Sequence, residues 1–154
     1  MTKSADRGAP SVSDSVAIVG ADNPIGSAID RVCRERSVAV VGRVTRRGWV
    51  IDGPPRVVID VGPAEQVWDS AEFCQQWGSA LLYCAPEPHR SGLRRLRELS
   101  ATVAVGIVAT PGDRWPAQVV APRLLDLAGE LADVTPGWYS IDGPFGAVPG
   151  ADRP

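Results

Sequence analysis

The feature that most constrains the fold is a series of short apolar runs, rich in β-branched residues and with few polar positions. They span residues 16–19, 38–44, 57–61, 80–83 and 103–109. A parallel sheet covered by helices on both faces needs such strands, because neither face of the sheet meets water. Segments with helical spacing separate most of the runs, and right-handed crossovers then give a doubly wound sheet. We therefore expect a single α/β domain with about five to six parallel strands.

Four helices are indicated between and after these runs. Residues 24–36 show helical spacing of apolar side chains, and a second helix is expected between Pro63 and Gly78. These residue types suit the first turn and the end of a helix, respectively. A short helix is expected around residues 93–99. The last helix contains Pro122, where we expect it either to begin or to bend.

The ends of the chain differ in composition from its middle. We expect residues 1–14 to form a flexible leader, residues 15–142 a Rossmann-like domain and residues 143–154 a tail rich in Gly and Pro. Residues 49–51 are interpreted as a small extra strand or a hairpin arm. Three aromatic residues near the end lack helical spacing and would cover a pocket, fill the edge of the core or mediate self-association: Trp138, Tyr139 and Phe145.

Composition and charge narrow the class of protein. The hydrophobic share of 44% and the charged share of 22% are ordinary for a globular domain. A net charge of -2 provides no bulk attraction to nucleic acid or to an anionic membrane. No apolar run approaches the roughly 18 residues of a membrane span. Cys33, Cys74 and Cys84 lack C-x-x-C spacing, so we expect a cytoplasmic protein with neither a disulfide framework nor a metal site.

A glycine-bounded loop follows the first expected strand and opens the first helix. In this context a glycine fingerprint indicates dinucleotide binding, because the helix N-terminus presents free N–H groups to phosphates. Asn23 replaces the glycine that would let the backbone approach a pyrophosphate, although Asn tolerates left-handed geometry, and Pro24 removes one amide donor. The alternative is a loop kept for its shape alone. The candidate cofactor-binding residues here are Gly20, Asp22, Asn23, Pro24, Ile25 and Gly26.

Basic residues mark the end of the second expected strand. Arg43, Arg46 and Arg47 stand where an acidic residue would hold the ribose of NAD. Arginine instead accommodates the 2′-phosphate of NADP, so NADP(H) is the expected coenzyme if a dinucleotide binds. The alternative is a solvated basic turn.

The segment RVVIDVGPAEQV, residues 56–67, resembles the third strand and following helix of dihydrodipicolinate reductases. The likeness continues to Gly78 and through the fifth expected strand, and it covers roughly residues 15–132. It implies the Rossmann-like fold and an NADP(H) site, with Gly20 and Gly26 matching the cofactor loop of the family. Asn23 replaces the middle glycine of that loop.

The chain also departs from that family. Members carry a second domain with paired histidines, a lysine and a Pro-Ser-Gly-Thr region for a cyclic imine substrate, whereas this chain has one histidine and one lysine. Beside the nicotinamide the family has a Gly-Thr-Thr-Gly turn, where this chain has residues 83–86, YCAP. The resemblance therefore implies a counterpart without the substrate domain, and lysine-pathway chemistry is not expected.

Candidate catalytic residues follow the later strands. His89 is the default general acid or base, because its ordinary pKa lies near neutrality, and Glu87 would orient it if the loop folded back. Cys84 would be a nucleophile if its pKa were lowered, and Asp113 would transfer protons beside Arg114. The alternatives are a surface histidine, a buried inert cysteine and a salt-linked turn.

Two classes of function stay open at this level. The first is an NADP(H)-dependent reductase-like protein of reduced size, which reduces an imine or unsaturated carbonyl in specialised metabolism. The second is a repurposed Rossmann domain without redox activity, either a cyclase, isomerase or lyase or a regulatory or partner subunit. A small-molecule substrate and a homodimer or partner subunit are expected, with no nucleic acid or membrane as partner.

Overall fold

The apolar runs form the strands of one central sheet. The computed structural model describes residues 15–86, 88–109 and 116–149. Within them the strands are β1 (Val16–Val19), β2 (Val40–Thr45), β3 (Gly48–Ile51), β4 (Val57–Asp60), β5 (Ala80–Tyr83), β6 (Ala104–Val108) and β7 (Gly137–Ile141). Their order across the sheet is β3-β2-β1-β4-β5-β6-β7. All neighbours are parallel except β2 and β3, which form an antiparallel hairpin.

The helices connect the parallel strands. They are α1 (Pro24–Glu35), α2 (Val67–Trp77), α3 (Arg90–Leu99) and α4 (Ala117–Ala132), with a 3₁₀ turn (Ala64–Gln66) before α2. Gly78 ends α2 in the left-handed conformation at φ 68°, as its residue type indicates. Pro122 lies inside α4, so this helix begins before the proline rather than at it. No helix in the described ranges is both long enough and apolar enough to cross a membrane.

The helices cover both faces of the sheet. α1 packs on α4 on one face, and α2 packs on α3 on the other. Each face has its own apolar cluster, centred on residues such as Ile18 and Leu131 on the first and Val58 and Leu96 on the second. This arrangement confirms the expected doubly wound, Rossmann-like α/β fold.

The sheet is larger than the expected five to six strands. β3 is the arm of a hairpin with β2, one of the two interpretations that the sequence allowed for residues 49–51. β7 adds a further edge strand that contains Trp138 and Tyr139. The region interpreted as a tail also contributes to the core, since Val148 is buried and its N–H donates to Glu130 Oε1 at 3.1 Å. Local periodicity did not indicate β7, because residues 137–141, GWYSI, are neither uniformly apolar nor strictly alternating.

Candidate functional site

In a doubly wound sheet, ligands bind beyond the carboxyl ends of the strands where the strand order reverses. Here that point lies between β1 and β4, which pair directly. The loops that follow these two strands nearly touch: a Cβ on Gly20 would lie 2.8 Å from the Gly62 nitrogen. Gly20 also has a φ of +90°, so both space and backbone conformation require glycine there.

Asn23 spans the gap between these loops with its side-chain amide. Its Oδ1 accepts a hydrogen bond from the Gly26 N–H at 2.7 Å, and its Nδ2 donates to the Val61 carbonyl at 2.8 Å. The backbone of Asn23 is extended, at φ -92° and ψ 169°, and not left-handed. Asn23 therefore serves as the N-cap of α1 and as a bridge to the β4 loop, a role that its sequence position did not reveal.

Few amides at the start of α1 are free to bind a phosphate. Pro24 has no N–H, the Gly26 N–H is bound to Asn23, and the Ser27 N–H donates to the Asn23 carbonyl at 2.8 Å. Among the described contacts, this leaves Ile25 as the amide without a partner in the first turn. A dinucleotide site needs several such donors around its diphosphate. The residues of this loop, as placed, do not fit a diphosphate.

Gly26 is required by the shape of the loop itself. A Cβ at this position would lie 2.0 Å from the Gly20 carbonyl oxygen, a distance that real Cβ atoms do not show. The Ser27 hydroxyl donates to the Ala21 carbonyl at 3.3 Å and adds a second contact between helix and loop. Close approach of helix and strand thus accounts for Gly26 without any ligand.

The arginines of the expected 2′-phosphate site already have acidic partners. Arg43 donates through Nε and Nη2 to both oxygens of Asp30, at 2.8 and 3.0 Å. These hydrogen bonds lower the pKa of Asp30. Arg46 donates to Asp22 Oδ2 through its backbone N–H and its Nε, both at 3.2 Å, and the backbone bond is the main cause of the lowered pKa of Asp22.

Arg47 differs from the other two arginines. Its side chain is exposed and has no acidic partner among the described residues, while its N–H donates to Thr45 Oγ1 at 3.1 Å. Since Asp22 and Asp30 balance the charges of the other two arginines, the net positive charge at the end of β2 is smaller than the sequence suggests.

A buried carboxyl group that was not among the expected site residues lies at the end of β4. Asp60 is 0% exposed; its Oδ1 accepts from the Gly62 N–H at 2.9 Å and its Oδ2 from the Ser70 hydroxyl at 2.8 Å. Burial raises its pKa to about 6, because no cation compensates the lost hydration among the described contacts. Asp60 thus holds the loop whose Val61 carbonyl accepts the bond from Asn23.

The expected catalytic residues are not brought together in the described part of the chain. His89 is exposed at the start of α3 and makes no capping bond with its side chain. Cys84 is buried after β5, and burial raises the pKa of its thiol, which keeps it protonated at neutral pH. Glu87 and Asp113 lie outside the described residues. The described His, Cys, Asp and Glu side chains form no group of three that could hold a metal ion.

A cavity of about 240 Å³ opens at the opposite edge of the sheet, near the amino ends of the strands. Its lining includes Thr102, Leu131 and Thr135, and the Arg56–Asp133 ion pair at 3.9 Å. It therefore lies away from the switch point and contains none of the expected site residues.

No protein-family model and no curated protein matches this chain. The chemistry of the candidate site therefore rests on its own residues and their contacts.

Proposed function

We propose that this chain is a Rossmann-like domain without redox activity, of the regulatory or partner-subunit kind. One observation carries the proposal: the Asn23 side chain spans the loops at the switch point and, within the chain, accepts the Gly26 N–H that would otherwise be a donor to a phosphate. A coenzyme would have to displace both of its hydrogen bonds. Each bond contributes about 1 kcal/mol, and the loop would then also lose its link to the β4 side of the crevice.

The electrostatics of the crevice support the same proposal. The carboxylate of Asp22 lies in the loop itself, where it would repel a phosphate, and its charge neutralises that of Arg46. Arg43 is likewise bound by Asp30. Of the three arginines at the end of β2, Arg47 would then be the one that meets a 2′-phosphate without an acidic partner among the described residues.

A regulatory or partner role is favoured over a cyclase, isomerase or lyase. Acid–base catalysis needs a titratable group within hydrogen-bond reach of the reacting proton, set in a site that excludes water. Among the described candidates His89 is exposed, and Cys84 is buried with a raised pKa. These two side chains do not form an enclosed catalytic pair.

The second candidate is the reduced-size NADP(H)-dependent reductase. It is supported by the exposed side chains of Arg46, 93% accessible, and Arg47 at the end of β2, and by the resemblance of residues 56–67 to dihydrodipicolinate reductases. This function requires the Asn23 side chain to leave Gly26 before a coenzyme can bind.

Titration with NADPH and NADH, followed through the fluorescence of the five tryptophans, separates the two candidates. We expect no saturable quenching by either coenzyme at millimolar concentration. Saturable micromolar binding of NADPH that is lost in Arg47→Ala and retained in the matched control Arg31→Ala would refute the proposal. Arg31 suits this control because it is an exposed arginine on α1.

A second variant tests the cause of the expected absence of binding. Asn23→Gly frees the Gly26 N–H and restores the middle glycine of the fingerprint. Loss of the cap costs only a few tenths of a kcal/mol, and loss of the bond to Val61 adds about 1 kcal/mol. We expect this variant to bind NADPH more strongly than the unaltered chain. Equal, undetectable binding by both would mean that Asn23 is not what closes the crevice.

A further inference from the structure

The helices α2 and α3 form a shared outer surface with separated charges. Both helices begin at the carboxyl edge of the sheet and run back toward its amino edge, so they are parallel to one another. The exposed residues at the start of the α2 region are acidic, Glu65 and Asp69, whereas those at the start of α3 are basic, Arg90 and Arg94. In the first turns of these helices the surface therefore has a negative stripe beside a positive stripe, while the exposed Glu98 lies farther along α3.

These four charged side chains form no ion pairs with one another or with other described residues. In the described part of the molecule, Glu65 and Asp69 contact no cation, and Arg90 and Arg94 contact no carboxylate. The polar contact between the two helices is made instead by Arg95, whose Nη2 donates to Gln75 Oε1 at 2.6 Å and lies 3.9 Å from Glu72 Oε1. Four complementary charges on neighbouring helices thus point to solvent without meeting each other.

An apolar side chain lies within the same surface. Trp68 is 48% exposed on α2, between Glu65 and Asp69 in the turn that carries the acidic residues. Trp is enriched near the centres of protein interfaces, and polar residues form the rim around such centres. We call the surface formed by Glu65, Trp68, Asp69, Arg90 and Arg94 the α2–α3 face.

We propose that the α2–α3 face binds a second copy of this chain. A twofold axis parallel to the helices and lying in the interface places α2 of one protomer on α3 of its partner, and α3 on α2. Because the helices are parallel, the first turns of α2 then meet the first turns of α3, and each acidic stripe faces a basic stripe. The interface is isologous, as in most homodimers.

The charge pattern favours a second copy of this chain over other kinds of partner. A uniformly acidic partner would match α3 and repel α2, and a uniformly basic partner would do the reverse. A second copy, rotated by 180°, satisfies both helices at once. The proposed dimer does not depend on coenzyme binding, so an experiment can refute it without refuting the proposed function.

Sedimentation velocity on the full chain, with two charge-reversal variants, tests the dimer. Arg90→Glu with Arg94→Glu makes the whole face acidic, and Glu65→Arg with Asp69→Arg makes it basic. Each variant alone should dimerise at least about tenfold more weakly than the unaltered chain, because like charges then face each other. An equimolar mixture of the two variants should recover a heterodimer, since each face of one then complements the other.

Three results would overturn the proposal. They are a monomer at all concentrations at low salt, a dimer that neither reversal weakens, and a mixture that stays monomeric although both variants keep the circular dichroism of the parent. Arg31→Glu with Arg47→Glu is the matched control, because it makes the same change of charge at exposed arginines outside the face. If a reversal variant fails to fold, Trp68→Ala serves in its place and should likewise weaken the dimer.

Discussion

The side-chain amide of Asn23 donates a 2.8 Å hydrogen bond to the carbonyl oxygen of Val61, 38 residues away in the chain. This bond joins the loop after β1 to the loop after β4 at the place where doubly wound domains bind their ligands. With its other amide atom Asn23 caps α1 through Gly26. A single side chain therefore both caps the first helix and links the two loops at the switch point.

Substitution of Asn23 should reduce stability by two separable amounts. Asn23→Ala removes the cap and leaves the Val61 carbonyl without its donor, so we expect the free energy of unfolding in urea to fall by about 1–3 kcal/mol. Asn23→Ser keeps a capping oxygen, but its hydroxyl cannot reach Val61. Its free energy of unfolding should therefore lie between those of the unaltered chain and Asn23→Ala. A loss of less than about 0.5 kcal/mol in Asn23→Ala would show that neither bond contributes to the fold.

Two glycine-to-alanine substitutions should have opposite effects. Gly26→Ala places a Cβ 2.0 Å from the Gly20 carbonyl oxygen, and we expect a loss of more than about 3 kcal/mol or failure to fold. Gly129→Ala lies inside α4, and no atom beyond the adjacent residues and the nearby backbone of α4 lies within 4 Å of the new Cβ, so it should stabilise the chain by about 0.5–1 kcal/mol. Thermal unfolding measures both. Equal behaviour of the two variants would contradict the close contact at Gly26.

The buried carboxyl of Asp60 should make stability depend on pH below neutrality. Its folded pKa of about 6 lies above the ordinary 3.8, so the folded state holds the proton more tightly than the unfolded state. The free energy of unfolding should therefore fall as pH rises from about 4 to about 6, and then level off. Asp60→Asn removes this decline, because the amide carries no charge.

We expect Asp60→Asn to be more stable than the unaltered chain at pH 8, by on the order of 2–3 kcal/mol, and equal to it near pH 4. Urea unfolding at both pH values measures this difference. Asp52→Asn, at an exposed position, is the control and should change stability by less than about 0.5 kcal/mol. A variant that is less stable at pH 8 would mean that the two hydrogen bonds to the carboxylate outweigh its burial.

The Arg43–Asp30 pair should contribute measurably to stability, because both guanidinium bonds reach one carboxylate that is 16% exposed. A double-mutant cycle with alanine at both positions should give a coupling of about 1 kcal/mol at neutral pH. Arg43 lowers the pKa of Asp30, so the coupling should be complete above the ordinary pKa of 3.8 and lost as pH falls through the lowered value.

The exposed pair Arg36–Asp126, joined at 2.7 Å, provides the comparison for this cycle. Both of its side chains are about two-fifths exposed, at 42% and 41%, so solvent screens their attraction and the coupling should be smaller. Equal coupling energies in the two pairs would show that neither the burial of Asp30 nor its two hydrogen bonds from Arg43 strengthen the interaction.

The sequence determined the elements whose signals are local. Residues 80–83 are a strand and Gly78 ends α2 in the left-handed conformation, as their residue types indicate. The alternation of apolar runs with helical spacing also determined the doubly wound sheet. Such features depend on neighbours within about four residues along the chain, which a sequence displays directly.

Only the tertiary structure decided which distant groups meet. The bond from Asn23 to Val61, the pairing of Arg43 with Asp30 and the burial of Asp60 all depend on how strands are ordered and how their loops approach. Residue type alone allowed Asn23 to be a turn residue and Arg43 a phosphate ligand. Each side chain has several possible partners of equal chemistry, and packing of the sheet selects one of them by bringing it within hydrogen-bond distance.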